Sequence, residues 1–457
     1  MKNTEKAIVV GAGAAGLAAA YTLRNRNINV TVLEASDHAG GRTAGEEIDG
    51  FHISTGAKFF SDHYHVALGM CDELEVPIER VSTSEVTMAF YGKGDLHIAN
   101  AANLLTGRLF SPRAICQLLG FVRHLRRRKE DLESGDYTRL LDLDTSSSVA
   151  DYVRGLDYDE LLEEALEPMI RALILCSAKR LGTVLGMEAL WAAAKKRYSQ
   201  FSSPVRGVGA FSDALAQACA DDTLLSTPAE RVALEGSEKR AGGVFAKGEF
   251  MPADVVICAT TATTALRLIP DLPDNIRNVL RKVTYSSGCH IAFGVDGHPL
   301  DIKPGKRHAF SFFPELDDCL LATHADSTAL SRSTAPPGKS IVHAFAAEER
   351  SDELFPLSDE EIKCRAIAEI RRFVPAMPTE PLFSRVYRWR EAVCLANDGI
   401  LTELYEIRRH GYPGVEGLFL AGEYMDLPSV NGALRSGINA AEEAIDFLSR
   451  DPGTGEA

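Results

Sequence analysis

The sequence predicts an α/β protein in which a Rossmann-type nucleotide-binding domain carries an inserted α+β domain. The first observation is a glycine-rich loop that joins an apolar strand to an Ala- and Leu-rich helix near the amino terminus. The second is another apolar strand directly afterwards, which ends in an acidic residue. The third is a further strand, loop and helix close to the carboxyl terminus. Strands that alternate with helices in this way are typical of a parallel sheet covered by helices.

The composition is that of an ordinary globular protein. The chain has 457 residues, of which 45% are hydrophobic and 25% are charged, and this excludes a disordered or fibrous protein. Its formal net charge of −15 disfavours nucleic acid as a partner, because such binding depends on neutralising phosphates. The nine cysteines have neither disulfide nor metal-ligand spacing. We therefore predict a protein of a reducing compartment, the cytoplasm.

Export, membrane insertion and metal binding are not predicted. We expect no export leader, and no apolar run reaches the length of about 18 residues that a spanning helix needs. The segment 111–132 has an apolar front and a basic end. We interpret it as a solvated helix with local ion pairs, and peripheral contact with an anionic membrane stays open. His63 and His65 form an HxH pair without a third ligand, so no metal site is predicted.

The first element is the strand KAIVV, Lys6 to Val10, followed by the motif GxGxxG. Gly11 allows a tight turn, Gly13 lets the backbone approach a pyrophosphate, and Gly16 lets the following helix pack close to the strand. Free N–H groups at the helix start attract the anion. The predicted cofactor contacts of this loop also include Ala14 and Ala15.

The second strand, Ile28 to Leu33, ends in Glu34. An acid at this distance from the glycine loop accepts hydrogen bonds from ribose hydroxyls and disfavours the 2′-phosphate of NADP. Its neighbour Ala35 is included in the predicted cofactor contacts. NAD and FAD both satisfy the pattern to this point.

A second turn separates these cofactors. Gly40, Gly41 and Arg42 follow the second strand, and an arginine is the side chain best matched to a phosphate oxyanion. With this turn the chain resembles the flavin amine oxidase superfamily, which includes monoamine and polyamine oxidases, L-amino-acid oxidases, protoporphyrinogen oxidases and phytoene-type desaturases. The resemblance implies FAD as the cofactor. It also implies that Gly56, Ala57 and Lys58 lie where the family chain passes along the flavin ring, although Ser54 stands where many members have an acid.

The carboxyl-terminal unit begins with a short strand, Leu418 to Ala421, followed by Gly422 and Glu423. A helix is predicted from about Asn431 to Leu448, with small residues near its start that leave room for a ligand. The resemblance implies that the Gly-Glu pair meets the pyrophosphate and ribityl chain and that the helix start faces the flavin. The predicted contacts at this helix start are Val430, Asn431, Gly432 and Ala433.

A middle stretch with the strand Val255 to Ala259 returns to the nucleotide-binding domain, and by resemblance the Ala229 backbone touches adenine. The FAD-binding domain is thus predicted to be discontinuous, with segments 1–80, 201–284 and 386–457. The substrate domain is predicted from 81–200, which is mainly helical, and from 285–385.

Four residues are candidates for the catalytic site. Amine oxidases of this superfamily often place a lysine near the flavin at the start of the sheet in the second insertion, where this chain offers Cys289 and His290. Lys58 is the alternative base, or else makes a structural ion pair. Trp389 is a candidate for an aromatic wall or for core packing. Cys394 is out of register with the cysteine that carries covalent flavin in some members, so noncovalent FAD is expected.

The resulting hypothesis is an FAD-dependent oxidase or dehydrogenase that removes a hydride from a mainly apolar small molecule and passes its electrons to oxygen or a quinone. The chemistry belongs largely to the cofactor, which fits the scarcity of an obvious catalytic dyad. The alternatives are an amine oxidase, a redox-neutral flavin isomerase, and a non-catalytic binding protein of the Rab escort or GDP-dissociation-inhibitor type.

Overall fold

The structure is a computed structural model of the chain. It describes residues 5–194, 200–236, 239–301, 303, 305–315, 319–412 and 414–450. Within these ranges, none of the helices combines the length and the apolar character needed to cross a bilayer.

The strands of the described residues are short, and most belong to two large sheets. In chain order they are β1 Lys6–Val10, β2 Asn29–Leu33, β3 Gly45–Ile48, β4 Phe51–Ser54, β5 Ile78–Ser82, β6 Val86–Gly92, β7 Asp95–Ile98, β8 Gln200–Pro204, β9 Thr223–Leu224, β10 Ala229–Glu235, β11 Arg240–Ala246, β12 Glu249–Pro252, β13 Val255–Cys258, β14 Gly288–Asp296, β15 Arg307–Phe312, β16 Thr323–Asp326, β17 Lys339–Ala346, β18 Phe383–Trp389 and β19 Leu418–Leu420.

The helices of the described residues are mostly short and are distributed along the chain. In order they are α1 Ala14–Asn25, α2 His65–Glu73, α3 Ala101–Leu105, α4 Pro112–Arg126, α5 Lys129–Glu133, α6 Val149–Arg154, α7 Asp159–Leu161, α8 Glu167–Ile174, α9 Thr183–Ala194, α10 Val208–Ala218, α11 Ala262–Leu268, α12 Asp274–Leu280, α13 Ser327–Leu330, α14 Ser351–Leu354, α15 Asp359–Phe373, α16 Ile400–Arg409 and α17 Val430–Leu448. A π-helical turn, Leu162–Leu166, joins α7 to α8.

The nucleotide-binding sheet is parallel throughout, with the order β19-β13-β1-β2-β9. Its strands come from all three segments predicted for the cofactor domain. Apolar residues of β1 and β13 are almost completely buried, as expected for strands covered on both faces. The predicted α/β class with a Rossmann-type domain is confirmed, and the division of the chain into two discontinuous domains stays a prediction.

The second large sheet has seven strands in the order β18-β14-β17-β16-β15-β6-β7. All its neighbouring strands are antiparallel except β15 and β6. The long strand β14 lies beside both β17 and β18, and its side chains alternate between two faces. One face packs against α14 and α15 in an apolar cluster, and the opposite face carries His290 toward Thr55, which follows β4.

The helices α1 and α17 of the nucleotide-binding domain pack tightly against each other. A Cβ on Gly437 of α17 would lie 2.0 Å from the carbonyl oxygen of Ala15 in α1. Only glycine permits so close an approach of two helix backbones. The amino-terminal and carboxyl-terminal motifs are therefore held together by direct contact.

Candidate active site

The glycine loop after β1 has the shape expected for a phosphate cradle. Gly11 has φ +100°, a conformation that favours glycine, and its N–H donates to the carbonyl of Leu33 at 2.8 Å. A Cβ on Gly16 would lie 1.8 Å from the carbonyl oxygen of Gly11, whereas a Cβ on Gly13 would meet nothing within 4 Å. The loop is thus closed on the protein side and open at Gly13, beside the start of α1 that contains Ala14 and Ala15.

Glu34 lies at the end of β2 with its carboxylate turned toward the glycine loop. The carboxylate accepts hydrogen bonds from the N–H groups of Ala12 at 2.7 Å and Ser36 at 2.8 Å. The N–H of Thr227 donates to the Glu34 carbonyl at 2.7 Å, which brings the chain just before Ala229 to the same edge. Ala35 is exposed beside them. Three predicted positions, Glu34, Ala35 and Ala229, therefore lie near one another at one rim of the parallel sheet.

The second turn joins the amino-terminal loop to the carboxyl-terminal motif. The N–H of Gly40 donates to the Ala12 carbonyl at 2.8 Å, and Gly41 lies against Gly13. The Arg42 guanidinium donates to the Glu423 carboxylate and, at 3.1 Å, to the Ala392 carbonyl. The same carboxylate accepts from the N–H of Cys394 at 3.0 Å.

The start of α17 is fixed by hydrogen bonds to side chains. Ser429 caps the helix by accepting the N–H of Gly432 at 2.9 Å. The Asn431 amide oxygen accepts from the N–H of Val66 at 2.9 Å and so holds the start of α2. Val430 and Ala433 are half-buried on the same turn. Gly422, with φ +143°, donates its N–H to the Ser436 hydroxyl at 3.1 Å.

The segment after β4 runs directly past the Arg42 turn. The N–H of Ala57 donates to the Arg42 carbonyl at 3.0 Å, and a Cβ on Gly56 would lie 2.2 Å from that oxygen. The next residue, Lys58, donates to the Ser54 carbonyl, and its Nζ lies 3.3 Å from Nε2 of His290. The structure therefore brings together two of the four catalytic candidates.

His290 is enclosed by aromatic rings on both sides. Its ring stacks on Phe345 of β17 at 4.5 Å and on Tyr387 of β18 at 5.1 Å, both of which pair directly with it across the sheet. Its Nδ1 lies 2.9 Å from the Thr55 carbonyl. Trp389 donates its indole N–H to that same carbonyl at 3.2 Å, so it belongs to the same cluster.

His343 is a further member of the cluster that no motif indicated. Its Nδ1 lies 2.7 Å from Nε2 of His290, and its Nε2 contacts the Ser327 hydroxyl at the start of α13. The only sequence signal was a histidine within an apolar, β-branched stretch, which does not distinguish a site residue from a buried packing residue.

Burial sets the charge state of this cluster. It lowers the pKa of Lys58 well below its ordinary value of 10.5. It likewise lowers the pKa values of His290 and His343, and the neighbouring Lys58 adds to both shifts. Lys58 forms no ion pair with a carboxylate in the described part of the chain, so the predicted alternative of a structural ion pair has no support there. Burial therefore favours the neutral forms of all three side chains.

Cys289 lies apart from this cluster, because adjacent residues of a strand face opposite ways. It is fully buried among Ile291, Phe293 and the residues of α14 and α15. Burial raises the pKa of its thiol to about 12, which keeps it protonated and unreactive. Its position favours a packing role.

The residues at the rim of the parallel sheet fit FAD. The open side at Gly13, the start of α17, the Glu34 carboxylate and the Arg42 guanidinium offer the donors and acceptors that a pyrophosphate and a ribose need. No group of three or more potential metal ligands was found among the described residues.

Comparisons with known proteins agree with this geometry. The family described as flavin containing amine oxidoreductase matches residues 14–445. The chain is 24% identical over 302 residues to an L-amino-acid oxidase of Bothrops moojeni, covering 63% of this chain and 59% of that protein, which is less than two thirds of its length. It is 21% identical over 502 residues to protoporphyrinogen oxidase 2 of Arabidopsis thaliana, covering 97% and 94% of the two chains.

A solved structure shows the same fold. Cyclohexylamine oxidase from Brevibacterium oxydans superimposes with a TM-score of 0.74 at 17% identity, over 98% of this chain and 100% of that one. The resemblance found in the sequence is confirmed, together with the FAD cofactor and the class of flavin-dependent oxidoreductases. The match over nearly all of the chain means that this protein belongs to the flavin containing amine oxidoreductase family.

Proposed function

We propose that this protein is an FAD-dependent oxidoreductase that removes a hydride from a C–H bond of a mainly apolar small molecule. The observation that carries the proposal is the contact of Lys58 with His290 and of His290 with His343, in a place where burial lowers the pKa of all three side chains and so disfavours a fixed positive charge. A substrate bearing a carboxylate would lack a counter-ion there, while an uncharged one would lose little on leaving water.

The aromatic surroundings of Lys58 support an apolar substrate. Phe59, the next residue, packs edge-on against Phe201 with ring centroids 5.1 Å apart and against Phe310 at 6.0 Å. Phe59 and Phe201 are only partly buried, so they leave some apolar surface exposed, and the Lys58 amine itself lies 5.3 Å from the centroid of the Phe345 ring. Flat, carbon-rich molecules can pack against such aromatic side chains.

The chain's own residues divide into binding and reaction groups. The Gly11–Gly16 loop, Arg42, Glu423 and the start of α17 would hold the phosphates and sugar of the cofactor, and the backbone at Ala229 would contact its adenine. When bound, FAD supplies the two-electron acceptor for the substrate hydride. Lys58, as a free amine, accepts the proton that the substrate loses, and Trp389 borders the space in which the substrate is held.

The remaining assignments extend this proposal. Residues 1–80, 201–284 and 386–457 form the FAD-binding domain, and 81–200 with 285–385 form the substrate domain. The electrons pass on to oxygen or a quinone. The cytoplasm is the proposed location, because all nine cysteines are free in the structure and an acidic chain suits an aqueous compartment.

Anaerobic reduction of the bound flavin tests the proposal. Purified protein is expected to be yellow, and polyenes or porphyrinogens are expected to bleach its band near ~450 nm faster than primary amines do. Lys58→Met should slow bleaching at least ~100-fold, the usual worth of a general base, while Lys363→Met, which removes a surface lysine paired with Glu360, should not.

Three other outcomes would overturn the proposal. Bleaching by amines alone would favour an amine oxidase. Product formation without any net bleaching would indicate an isomerase. A colourless protein that cannot be loaded with FAD would indicate a binding protein.

A further inference from the structure

Four groups form a continuous hydrogen-bonded chain from the side of α13 to the segment beside Lys58. Ser327 contacts Nε2 of His343, Nδ1 of His343 lies 2.7 Å from Nε2 of His290, and Nδ1 of His290 lies 2.9 Å from the Thr55 carbonyl. Both histidines are 1% exposed, whereas Ser327 is partly exposed. The chain therefore connects the candidate site with an accessible hydroxyl.

The direction of every hydrogen bond in this chain follows from its last member. A carbonyl oxygen only accepts, so Nδ1 of His290 carries a proton and donates it to Thr55. A neutral imidazole then has its lone pair on Nε2, which accepts from Nδ1–H of His343. The lone pair of His343 is left on Nε2, which accepts from the Ser327 hydroxyl. All three donors point the same way.

This arrangement has a consequence for Lys58. An imidazole nitrogen has one lone pair, and two donors compete for the one on Nε2 of His290. His343 lies at 2.7 Å and Lys58 at 3.3 Å, so His343 makes the stronger bond. The Lys58 amine is left with the Ser54 carbonyl and the face of Phe345, whose centroid is 5.3 Å away.

We propose that His343, held by Ser327, is a positioning residue that occupies the lone pair of His290 and thereby keeps Lys58 as a free amine. The inference rests on the proposed function, in which that amine accepts the substrate proton. Without the N–H of His343, the lone pair of His290 would turn to the lysine and favour its ammonium form.

The other ionisable groups around the cluster are engaged elsewhere. On β18, the Tyr387 hydroxyl donates to Glu46, which also accepts from Arg385. On β16, Asp326 is paired with Arg307. On β5, Glu79 accepts from the hydroxyls of Ser331 and Ser333. Burial and the lysine itself lower the pKa values of both histidines, which agrees with two neutral rings.

The test is a direct titration of Lys58 in the FAD-loaded protein. Trace acetic anhydride labels free amines, and peptide mass spectrometry gives the labelled fraction of Lys58 against pH. His343→Leu should raise the midpoint of Lys58 labelling by at least about one pH unit. At pH values below the wild-type midpoint, this corresponds to roughly tenfold less labelling of Lys58. His343→Gln, which keeps an N–H donor, should restore most of the wild-type midpoint. Ser327→Ala should shift it upward by less.

His324→Leu is the matched control. His324 lies on β16, is equally buried, and faces away from His343, because Ala325 rather than His324 pairs with that residue. It should leave the Lys58 midpoint unchanged. An unchanged midpoint in His343→Leu, or an equal shift in His324→Leu, would overturn the inference.

Two safeguards keep the result interpretable. If His343→Leu does not fold, an unshifted midpoint in Ser327→Ala is sufficient to overturn the inference. Labelling needs no turnover, so failure of every substrate class to bleach the flavin would count against the proposed function while leaving the titration result intact.

Discussion

At the scale of single residues, Lys58 is a buried amine that pairs with no carboxylate among the described residues. Burial lowers its pKa, so between that lowered value and 10.5 the folded protein binds fewer protons at this position than the unfolded chain does. The free energy of unfolding therefore rises with pH across this window. Below the lowered pKa, the destabilisation caused by burying the amine has its full value and no longer changes with pH.

Replacing Lys58 by Met should remove this pH dependence. The variant is expected to lose up to about 1.4 kcal/mol per pH unit from the slope of unfolding free energy against pH, because one proton no longer separates the two states. Urea unfolding of FAD-saturated protein at pH 7, 8 and 9 measures the slope. If both proteins give the same slope, Lys58 has an ordinary pKa and cannot be a free amine near neutral pH.

Individual site residues could be predicted from the sequence only where they belong to a motif that the backbone requires. Gly11, Gly16 and Glu34 could be located because the glycine loop has a fixed spacing. His343 could not, since its role depends on the register in which β17 lies against β14, with His343 opposite Ala292. A register is a property of two strands far apart in sequence.

At the scale of elements, two glycines where β1 leads into α1 have different roles: Gly13 precedes the helix and Gly16 lies in its first turn. Gly16 is needed for packing, because a Cβ there would collide with the Gly11 carbonyl. Gly13 has an ordinary φ of −75° and open space around its Cβ position. A methyl group at Gly13 would therefore meet only the ligand.

Gly13→Ala should fold normally and bind FAD at least about tenfold more weakly, because its methyl group takes the place of the approaching pyrophosphate. Gly16→Ala should lose about 1–3 kcal/mol of stability through overpacking. Gly69→Ala, in the middle of α2 with no atom within 4 Å of the added Cβ, is the control. The ratio of flavin to protein absorbance and thermal unfolding report the two effects. Tight FAD binding by Gly13→Ala would show that the phosphates lie elsewhere.

The elements of the nucleotide-binding sheet were predicted closely, and those of the seven-stranded sheet were not. The second strand was expected from Ile28 and begins at Asn29, while the last helix was expected from Asn431 and begins at Val430. The pairing of β6 with β15 joins segments more than 200 positions apart and has no local signal in either strand. Short apolar runs do not reveal their partners.

At the scale of the whole molecule, four buried histidines are kept neutral by the fold. His290 and His343 lie in the candidate site, and His308 and His324 lie further along the seven-stranded sheet. Burial lowers the pKa of His308 to about 4 and that of His324 to about 3. Neither ring nitrogen of His324 has a hydrogen-bond partner among the described residues.

These histidines should make the protein sensitive to acid. Below pH 6.5 the unfolded chain takes up protons that the folded protein excludes, so the free energy of unfolding falls as the pH falls. Between pH 7 and pH 5, the free energy of unfolding should fall by about 2 kcal/mol less in His324→Leu than in the wild type. The variant lacks a ring that stays neutral in the folded protein but becomes protonated in the unfolded chain. Urea unfolding at the two pH values tests this, and an equal loss in both proteins would contradict it.

The strand order of the parallel sheet also constrains how the protein is made. β1 lies at the centre of the sheet, and its residue Ala7 pairs with Val255, which is synthesised more than 200 residues later. At about 5–20 residues per second, β1 waits tens of seconds with an apolar edge unpaired. The edge strand β19 arrives only at Leu418. The parallel sheet can therefore be completed only after Leu418 has been made, and we expect removal of β19 to leave the apolar edge of β13 unpaired.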